Sequence, residues 1–327
     1  MRTILPIAAT LLITACGARV PGAETERGFQ LPDSIVVRDG STGARINANQ
    51  LRQRLSETDL VLLGEVHDNG IQHGIRGQLL TALAARRPAI VFEQFAEAEG
   101  PIPPPAADAP MERWLDERGF DRTSWKWPLH RPVVQAALEH GRSLWGTGLS
   151  REALRSVVRE GESAAPAHLR TILARAPLDT VARAKFNHEL FVGHCGQLPT
   201  EMMPGMRAAQ VARDASMARA LASASTSGPA VLIAGNGHVR RDIAVPRLLR
   251  VTAPDKSVLA VGFLERTETG AEPEPAERAQ FDLVVITPRV AREDPCAEFR
   301  RQSARLVPYE LSALDPAEST LAVTARE

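Results

Sequence analysis

The sequence lacks both an excess of charge of one sign and any long apolar run. Its 39 Lys and Arg residues, almost all of them Arg, are balanced by 39 Asp and Glu residues, which argues against a general nucleic-acid-binding protein. No apolar run approaches the roughly 20 residues that a bilayer-spanning helix needs, so a multi-pass membrane protein is excluded. Phosphate-binding loops, Gly-x-Ser-x-Gly and zincin motifs are also absent, so nucleotide and serine esterase chemistry gain no support. With 44% apolar residues over 327 positions, the chain can bury the core of one large domain.

Residues 1–16 are typical of a bacterial export signal. Arg2 precedes a short apolar stretch over residues 4–13, and small residues then lead to Cys16. The stretch is too short to span a bilayer and no stop-transfer pattern follows it, as in a signal peptide. Its end, Ile-Thr-Ala-Cys, resembles a bacterial lipobox, in which the cysteine is acylated and becomes the first mature residue. We therefore expect a lipoprotein signal peptide with Cys16 as the lipidation site, since several acyl chains give durable attachment.

The competing interpretation of this signal is an ordinary secreted protein in which Cys16 only happens to lie near the cleavage site. If Cys16 is acylated, the residue after it indicates the target membrane. Gly17, and not Asp, follows the cysteine, which by resemblance to sorted lipoproteins indicates the outer membrane. The protein would then face either the periplasm or the cell surface.

Only two other cysteines are present, Cys195 and Cys296, and no Cys-x-x-Cys motif occurs. Thioredoxin-like redox chemistry and covalent c-type haem therefore lack their usual motifs. In an oxidising periplasm an isolated pair more often forms a disulfide than a metal or catalytic site. The sequence predicts a structural disulfide that closes a loop of about 100 residues.

The apolar pattern predicts an α/β fold, with a mostly parallel sheet sandwiched by helices. Continuous apolar runs such as residues 60–63 are typical of buried parallel strands, and helical periodicity follows at 71–86. A helical subdomain, about 106–217, is predicted as an insertion between strands. A tether at 17–33, a domain at 34–300 and a polar tail at 301–327 complete the organisation. The predicted strands are 60–63, 89–92, 143–147, 230–234, 257–263 and 282–286, after a hairpin at 35–37 and 44–46.

Unusual polar residues follow three of the predicted strands. Glu65 and His67 come after the strand at 60–63, Glu93 after the strand at 89–92, and His238 after the strand at 230–234. In an open α/β sheet, ligands bind at the carboxyl ends of the strands, so these side chains are expected to meet in one crevice. Carboxylates and imidazoles together either hold a cation or transfer protons. Taken singly, each of these residues is also explained by a backbone hydrogen bond or an arginine partner, but Gly-x-x-His recurs after two separate strands.

These residues also carry a family resemblance. The segment Gly-Glu-Val-His-Asp-Asn at 64–69, with His73 shortly after it, resembles the opening motif of the ChaN-like haem-binding lipoproteins of the Tiki superfamily. Three further segments resemble later motifs of that family over about residues 30–300. They are Gln-Val-Ala-Arg-Asp-Ala-Ser-Met-Ala at 210–218, Ala-Gly-Asn-Gly-His-Val-Arg-Arg-Asp at 234–242 and Asp-Pro-Cys at 294–296.

The resemblance implies a membrane-attached α/β domain that binds haem and takes part in iron uptake. Haem would lie between the strand-end crevice and the helical insertion, and Arg240 would pair with its propionates, unless Arg240 and Arg241 form a solvated turn. The residues expected to line the site are Glu65, His67, Glu93 and His238. Further partners would be an envelope receptor or transporter and a second copy of the chain, with no role for nucleic acid.

The sequence departs from the family pattern in its expected iron ligands. A second histidine would be expected beside His73, where the chain has Gln72, and the only tyrosine is Tyr309 in the tail. An axial ligand must therefore come from elsewhere. The candidates are His188, His194, Met202, Met203 or a strand-end histidine, and for each residue of the insertion plain helix packing is the competing interpretation.

A second family resemblance supports a different function. Paired Gly-x-x-His motifs with supporting glutamates also characterise the Tiki/TraB metalloprotease relatives and the erythromycin esterase-like hydrolases. By that analogy, His67, Glu93 and His238 would bind a divalent metal, and Glu65 would act as general base on a metal-bound water. A structural envelope lipoprotein with an inactive site is the third hypothesis. Whether the chain is an enzyme is left open, with haem binding favoured.

Overall fold

A computed structural model describes residues 29–294 and 296–297. Within these residues the chain alternates strands and helices along most of its length, as the apolar pattern predicts. The strands are β1 (Val36–Asp39), β2 (Arg45–Ile46), β3 (Leu60–Leu63), β4 (Ala89–Ala96), β5 (Ser143–Gly148), β6 (Ala230–Ile233), β7 (Val258–Glu265) and β8 (Leu283–Thr287).

The helices of the described residues cover both faces of the sheet. They are α1 (Ala48–Glu57), α2 (Gly70–Ala82), α3 (Met111–Glu117), α4 (Arg131–His140), α5 (Arg151–Glu160), α6 (Ala167–Arg175), α7 (Thr180–Gly193), α8 (Met203–Ala224), α9 (Asn236–Val239), α10 (Val245–Thr252) and α11 (Pro275–Arg278). None of them is long and apolar enough to cross a membrane.

The strands form a single sheet in the order β2-β1-β8-β7-β3-β6-β4-β5. From β8 to β5 every neighbouring pair is parallel, and only the hairpin β1–β2 and its pairing with β8 are antiparallel. The predicted α/β class, hairpin and mostly parallel sheet are therefore confirmed. In the centre of the sheet, Leu63 and Phe92 both pair with Ile233, so the last residues of β3 and β6 lie level with Phe92, and β4 continues beyond them to Ala96.

Alternate residues of the central strands pack into two separate cores. Val61 and Leu63 of β3 face the core shared with α1, α2 and α4, whereas Leu60 and Leu62 face the core shared with α5–α8 and α10. This division follows from the two-residue period of a strand. It also explains why these runs are apolar throughout, since both faces are covered.

The long segment between β4 and β6 contributes to the sheet as well as to both of its faces. Its strand β5 adds to the sheet edge beside β4, at the predicted position. Helices α3 and α4 pack on one face and α5–α8 on the other. The long helix α8 crosses the sheet and contacts β4, β5 and β6, which brings its side chains to the carboxyl ends of these strands.

The predicted disulfide between Cys195 and Cys296 is present, with 5.5 Å between the two Cα atoms. It joins the turn after α7 to the residues that follow β8. Cys16 with the predicted signal peptide, and Tyr309 with the predicted tail, lie outside the described residues.

Two glycines provide a test of the packing at the end of β3. A Cβ atom at Gly64 would lie 2.2 Å from Asn236 Oδ1, and that oxygen already accepts a hydrogen bond from Phe263 N at 2.9 Å. Gly64→Ala should therefore lower the free energy of unfolding by about 1–3 kcal/mol, as overpacking does. Gly74→Ala is the matched control, because a Cβ atom there meets nothing within 4 Å. In the interior of α2 it should raise the free energy of unfolding by about 0.5–1 kcal/mol. Urea denaturation of both variants checks this, and equal effects of the two changes would contradict it.

Candidate functional site

The carboxyl edge of the sheet brings together His67, Glu93 and His238, as the strand order requires. His67 lies in the turn between β3 and α2, and His238 lies in the short helix α9 that follows β6. Glu93 was expected just after its strand but lies within β4, which continues to Ala96. The pairing of β4 with β5 shifts register between Phe92 and Ala96. This irregularity lets Glu93 leave the regular ladder and turn towards β6.

A buried chain of charges connects Glu93, His238 and Asp214 of α8. His238 Nδ1 donates to Asp214 Oδ1 at 2.6 Å, and His238 Nε2 lies 3.3 Å from Glu93 Oε1. The other oxygen of Glu93 accepts from Gly235 N at 2.8 Å. Both ring nitrogens of His238 therefore face carboxylates, which is an arrangement for an imidazolium.

The same contacts explain the pKa values of Glu93, His238 and Asp214. Burial alone would lower the pKa of His238, but the Glu93 charge and the Asp214 hydrogen bond outweigh it and raise the pKa to about 10. Burial would raise the pKa of Glu93, and the His238 charge reverses this and lowers the pKa to about 2. Burial raises the pKa of Asp214. His238 is therefore charged at neutral pH and has no free lone pair for a metal or for iron.

Glu65 lies deeper, in a fully buried polar cluster beneath the crevice. Its Oε1 accepts hydrogen bonds from His67 Nδ1 at 2.7 Å, from Gln94 Nε2 at 3.3 Å and from His130 Nε2 at 3.3 Å. Its Oε2 forms an ion pair with the buried guanidinium of Arg76. A buried carboxylate needs this compensation, because an unpaired charge in the interior is very costly.

The cluster around Glu65 is the one group in the described part of the chain whose ligand atoms lie close enough to hold a metal. Its members are Glu65, His73 and His130, with all ligand atoms within 4.8 Å of one another. However, Arg76 Nη2 donates to His73 Nδ1 at 2.7 Å and also pairs with Glu65. The guanidinium thus already supplies the positive charge, and the residues present do not suit a divalent ion.

The histidines of this cluster are kept neutral by their surroundings. Burial lowers the pKa of His73 to about 4. Burial, together with the neighbouring His73 and Arg76, lowers the pKa of His130 to about 2. The motifs in the sequence do not point to His130, Arg76 or Gln94, and Asp214 stands out only as part of the segment 210–218 that resembles a family motif. Of these, Arg76 could have been found from its position one turn after His73 in α2, whereas nothing in the sequence connects His130 to Glu65.

His67 is the strand-end histidine that still faces the crevice. Its Nδ1 is held by Glu65, and its ring packs edge-on against Trp125, with 4.8 Å between the ring centroids. A Cβ atom at residue 235 would lie 2.8 Å from Cε1 of this ring. The glycine of the second Gly-x-x-His motif is therefore required by close contact with the histidine of the first. Desolvation lowers the pKa of His67, which favours the neutral ring.

Arg240, the predicted propionate partner, is already paired within the protein. Its guanidinium lies 2.5 Å from Glu189 Oε1 of α7 and donates to both oxygens of Asp242 at 3.1 Å. Only 6% of its side chain is exposed. The structure thus uses Arg240 to attach α7 to the turn after α9.

The candidate axial ligands of the insertion lie in very different environments. Met203 is buried at the start of α8, and His194 Nδ1 donates to Leu190 O at 2.7 Å. Met202 is 46% exposed. His188 is exposed on α7, among other exposed and largely apolar side chains of that helix.

Comparison with known proteins agrees with this fold and these motifs. The α/β fold of the described residues is that of a haem-uptake family. The family described as "Haem-binding uptake, Tiki superfamily, ChaN" matches residues 51–249, which is more than half of the chain, so the chain belongs to this family. A solved structure described as "Cofacial heme binding to ChaN of Campylobacter jejuni" is similar with a TM-score of 0.59 and 17% identity. The match covers 78% of this chain and 97% of that chain. No curated protein matches the sequence.

The protonation of His238 predicts how stability depends on alkaline pH. A histidine of the unfolded chain titrates near pH 6.5, roughly, whereas folded His238 keeps its proton up to a pKa of about 10. Its contribution is fully present below the unfolded pKa and is lost as the pH rises through the folded pKa. The free energy of unfolding should therefore fall between these two values, and His238→Gln should reduce that slope. Urea denaturation across this range measures both. His140→Gln, at the end of α4, is the control, and an unchanged slope in His238→Gln would refute the assignment.

Proposed function

We propose that this chain is a lipid-anchored haem-binding protein that takes part in haem or iron uptake at the bacterial envelope. Its haem would lie against an exposed, largely apolar face of α7 and be ligated by His188. The observation that carries the proposal is a histidine at the centre of that face for which the described residues provide no partner, in a chain of a haem-binding uptake family.

The face of α7 is continuous because of its helical spacing. Val181, Ala184, His188 and Phe191 are three or four residues apart, so they lie on one side of the helix, and Val192 adjoins them. The face consists of Val181, Ala184, His188, Phe191 and Val192, and is called the α7 face below. It extends for about 15 Å along the helix, at the usual rise per residue.

This face is unusually apolar for an exposed surface. Val181 is 66% exposed, Phe191 45% and Val192 57%. Among the described residues, only Ile71 and Met202 are other large apolar side chains with comparable exposure, and Met202 immediately precedes α8. A contiguous exposed apolar surface usually marks a binding site. A flat porphyrin ring suits it, because the small Ala184 leaves room beside His188.

Within the described residues, His188 differs from the other histidines in that neither of its ring nitrogens has a partner. Seven of the eight histidines contact a protein carboxylate, carbonyl or other polar group, and these are His67, His73, His130, His140, His168, His194 and His238. Within the described part of the chain, no hydrogen bond or ion pair engages His188. An imidazole with a free nitrogen is a common axial ligand of haem iron.

Charged groups at the border of the α7 face suit the propionates. Lys185 lies next to the face on the same helix, with half of its side chain exposed, and its Nζ is 3.1 Å from Asp242 Oδ2. An ammonium group at this place can bind a carboxylate by a charge-assisted hydrogen bond. Lys185 is better placed for this than Arg240, which Glu189 and Asp242 enclose.

The α7 face covers only one side of a porphyrin. The opposite side would be open to solvent unless a second haem or a second copy of the chain covers it. The similar structure from Campylobacter jejuni is described as binding heme cofacially. We therefore propose cofacial binding here as well, and we propose that two haems face each other between two copies of this chain.

Haem titration of the full chain in detergent, followed by Soret absorbance, tests the α7 face. His188→Ala should weaken haem binding at least tenfold, roughly, and should shift the Soret band, because the iron loses its nitrogen ligand. His140→Ala is the matched control, since it removes a histidine from α4 and should change neither property. If His188→Ala binds haem with the affinity and spectrum of the unchanged protein, the assignment of His188 is wrong.

The lipid anchor is tested by replacing its cysteine. Cys16→Ser should abolish incorporation of labelled palmitate and move the protein from the membrane fraction to the soluble fraction, since no other acylation site is proposed. Fractionation of cells expressing either form measures this. A Cys16→Ser protein that stays with the membrane would contradict the anchor without affecting the haem site.

A further inference from the structure

We propose that the cleft at the carboxyl ends of β4 and β5 is a second ligand site, which binds a small organic anion with an apolar body. The cleft has a volume of about 400 Å³ and extends from Glu93 to the start of α5. This size is within the usual range for small-molecule sites. No residue of the α7 face lines it, so the proposal does not depend on haem binding.

Arg213 is the group that defines the charge of the expected ligand. It lies on α8, lines the cleft and is half-buried. Within the described residues, no carboxylate or other acceptor engages its guanidinium. An arginine that is partly buried without a partner gains most from an anion, because its planar donors fit a carboxylate or a phosphate with two parallel hydrogen bonds.

The carboxylates that also line the cleft are already compensated. The Glu93 oxygens contact His238 Nε2 and Gly235 N. Asp121 accepts hydrogen bonds from Thr123, Ser124 N and Ser124 Oγ, and it lies 3.6 Å from Arg151 Nη2. Neither of them pairs with Arg213. The positive charge of Arg213 is thus available to a ligand.

The rest of the lining suits the body of such a molecule. Apolar side chains of Trp125, Leu149, Leu154 and Met217 form much of the wall. The Trp125 ring also packs against His67, so it is fixed in place. Gln94 and Thr147 add polar groups, and α5 begins on the rim with Arg151, where the positive end of the helix dipole favours negative charge.

The ligand class follows from these features together. One guanidinium selects a single carboxylate or phosphate group, and the apolar wall selects a body the size of a small aromatic or branched aliphatic group. A purely inorganic anion would leave the apolar wall in contact with water. A neutral molecule would leave Arg213 without a partner. We therefore expect amphipathic anions to bind better than either.

Isothermal titration of the full chain in detergent tests this with three probes of similar size. Phenylacetate and phenyl phosphate carry an anionic head, and phenylacetamide is the neutral counterpart. At least one anion should bind with a dissociation constant below about 1 mM, and the amide should bind at least tenfold more weakly, roughly. Which anion binds better distinguishes a carboxylate ligand from a phosphate ligand. Saturable binding of neither anion would overturn the proposal.

Three variants locate the binding. Arg213→Gln should weaken anion binding at least tenfold, roughly, and Leu154→Trp should abolish it by filling the cleft. Arg170→Gln, on the exposed side of α6, removes the same charge and should have no effect. Haem titration of Arg213→Gln should match the unchanged protein. If either Arg213→Gln or Leu154→Trp binds the anion as tightly as the unchanged protein, or if Arg213→Gln loses haem binding, the assignment of a separate site is wrong.

Discussion

The burial of Glu65 at the end of the central strand is the constraint on which the arrangement of the site depends. A fully enclosed carboxylate must be compensated, and here Arg76, His67, Gln94 and His130 share that task. These partners come from α2, from the turn before it, from β4 and from the residue before α4. One carboxylate thus sets the position of three elements relative to β3. It also holds His67 at the opening of the crevice with Nδ1 engaged.

A second consequence is that three of the histidines in and beneath the crevice are structural. His238 is charged between Glu93 and Asp214, and His73 and His130 are neutral around Glu65 and Arg76. These contacts satisfy the very groups that the sequence motif suggests for ligand binding. Within the described residues, His188 and Arg213 are two side chains without a partner, and they lie on different surfaces. Family membership and fold therefore do not by themselves locate the ligand, and the unsatisfied groups are better guides.

Much of the architecture could be predicted because its causes are local. The apolar runs at β3 and β6 show that helices cover both faces of the sheet there. The glycines that follow these runs show where the chain turns sharply at the end of each strand. The partners of these motifs could not be predicted in the same way. His130 precedes α4 and reaches Glu65 only because α4 packs on α2, and Asp214 reaches His238 only through the path of α8. The exposure of His188 could not be predicted from the sequence either, because it depends on which side of α7 packs against the protein. That side carries Phe186 and Leu190, which are buried.

The disulfide has a consequence for how the chain responds to cleavage. Cys195 follows α7 and Cys296 follows β8, so β6, β7 and β8 lie within the loop that the bond closes. A protease that cuts the exposed turn at Gly270 separates the backbone into two pieces. The two pieces stay covalently joined until a reductant is added. The nicked protein would therefore keep its full mass on a non-reducing gel, and α7 would stay connected to the last strand of the sheet.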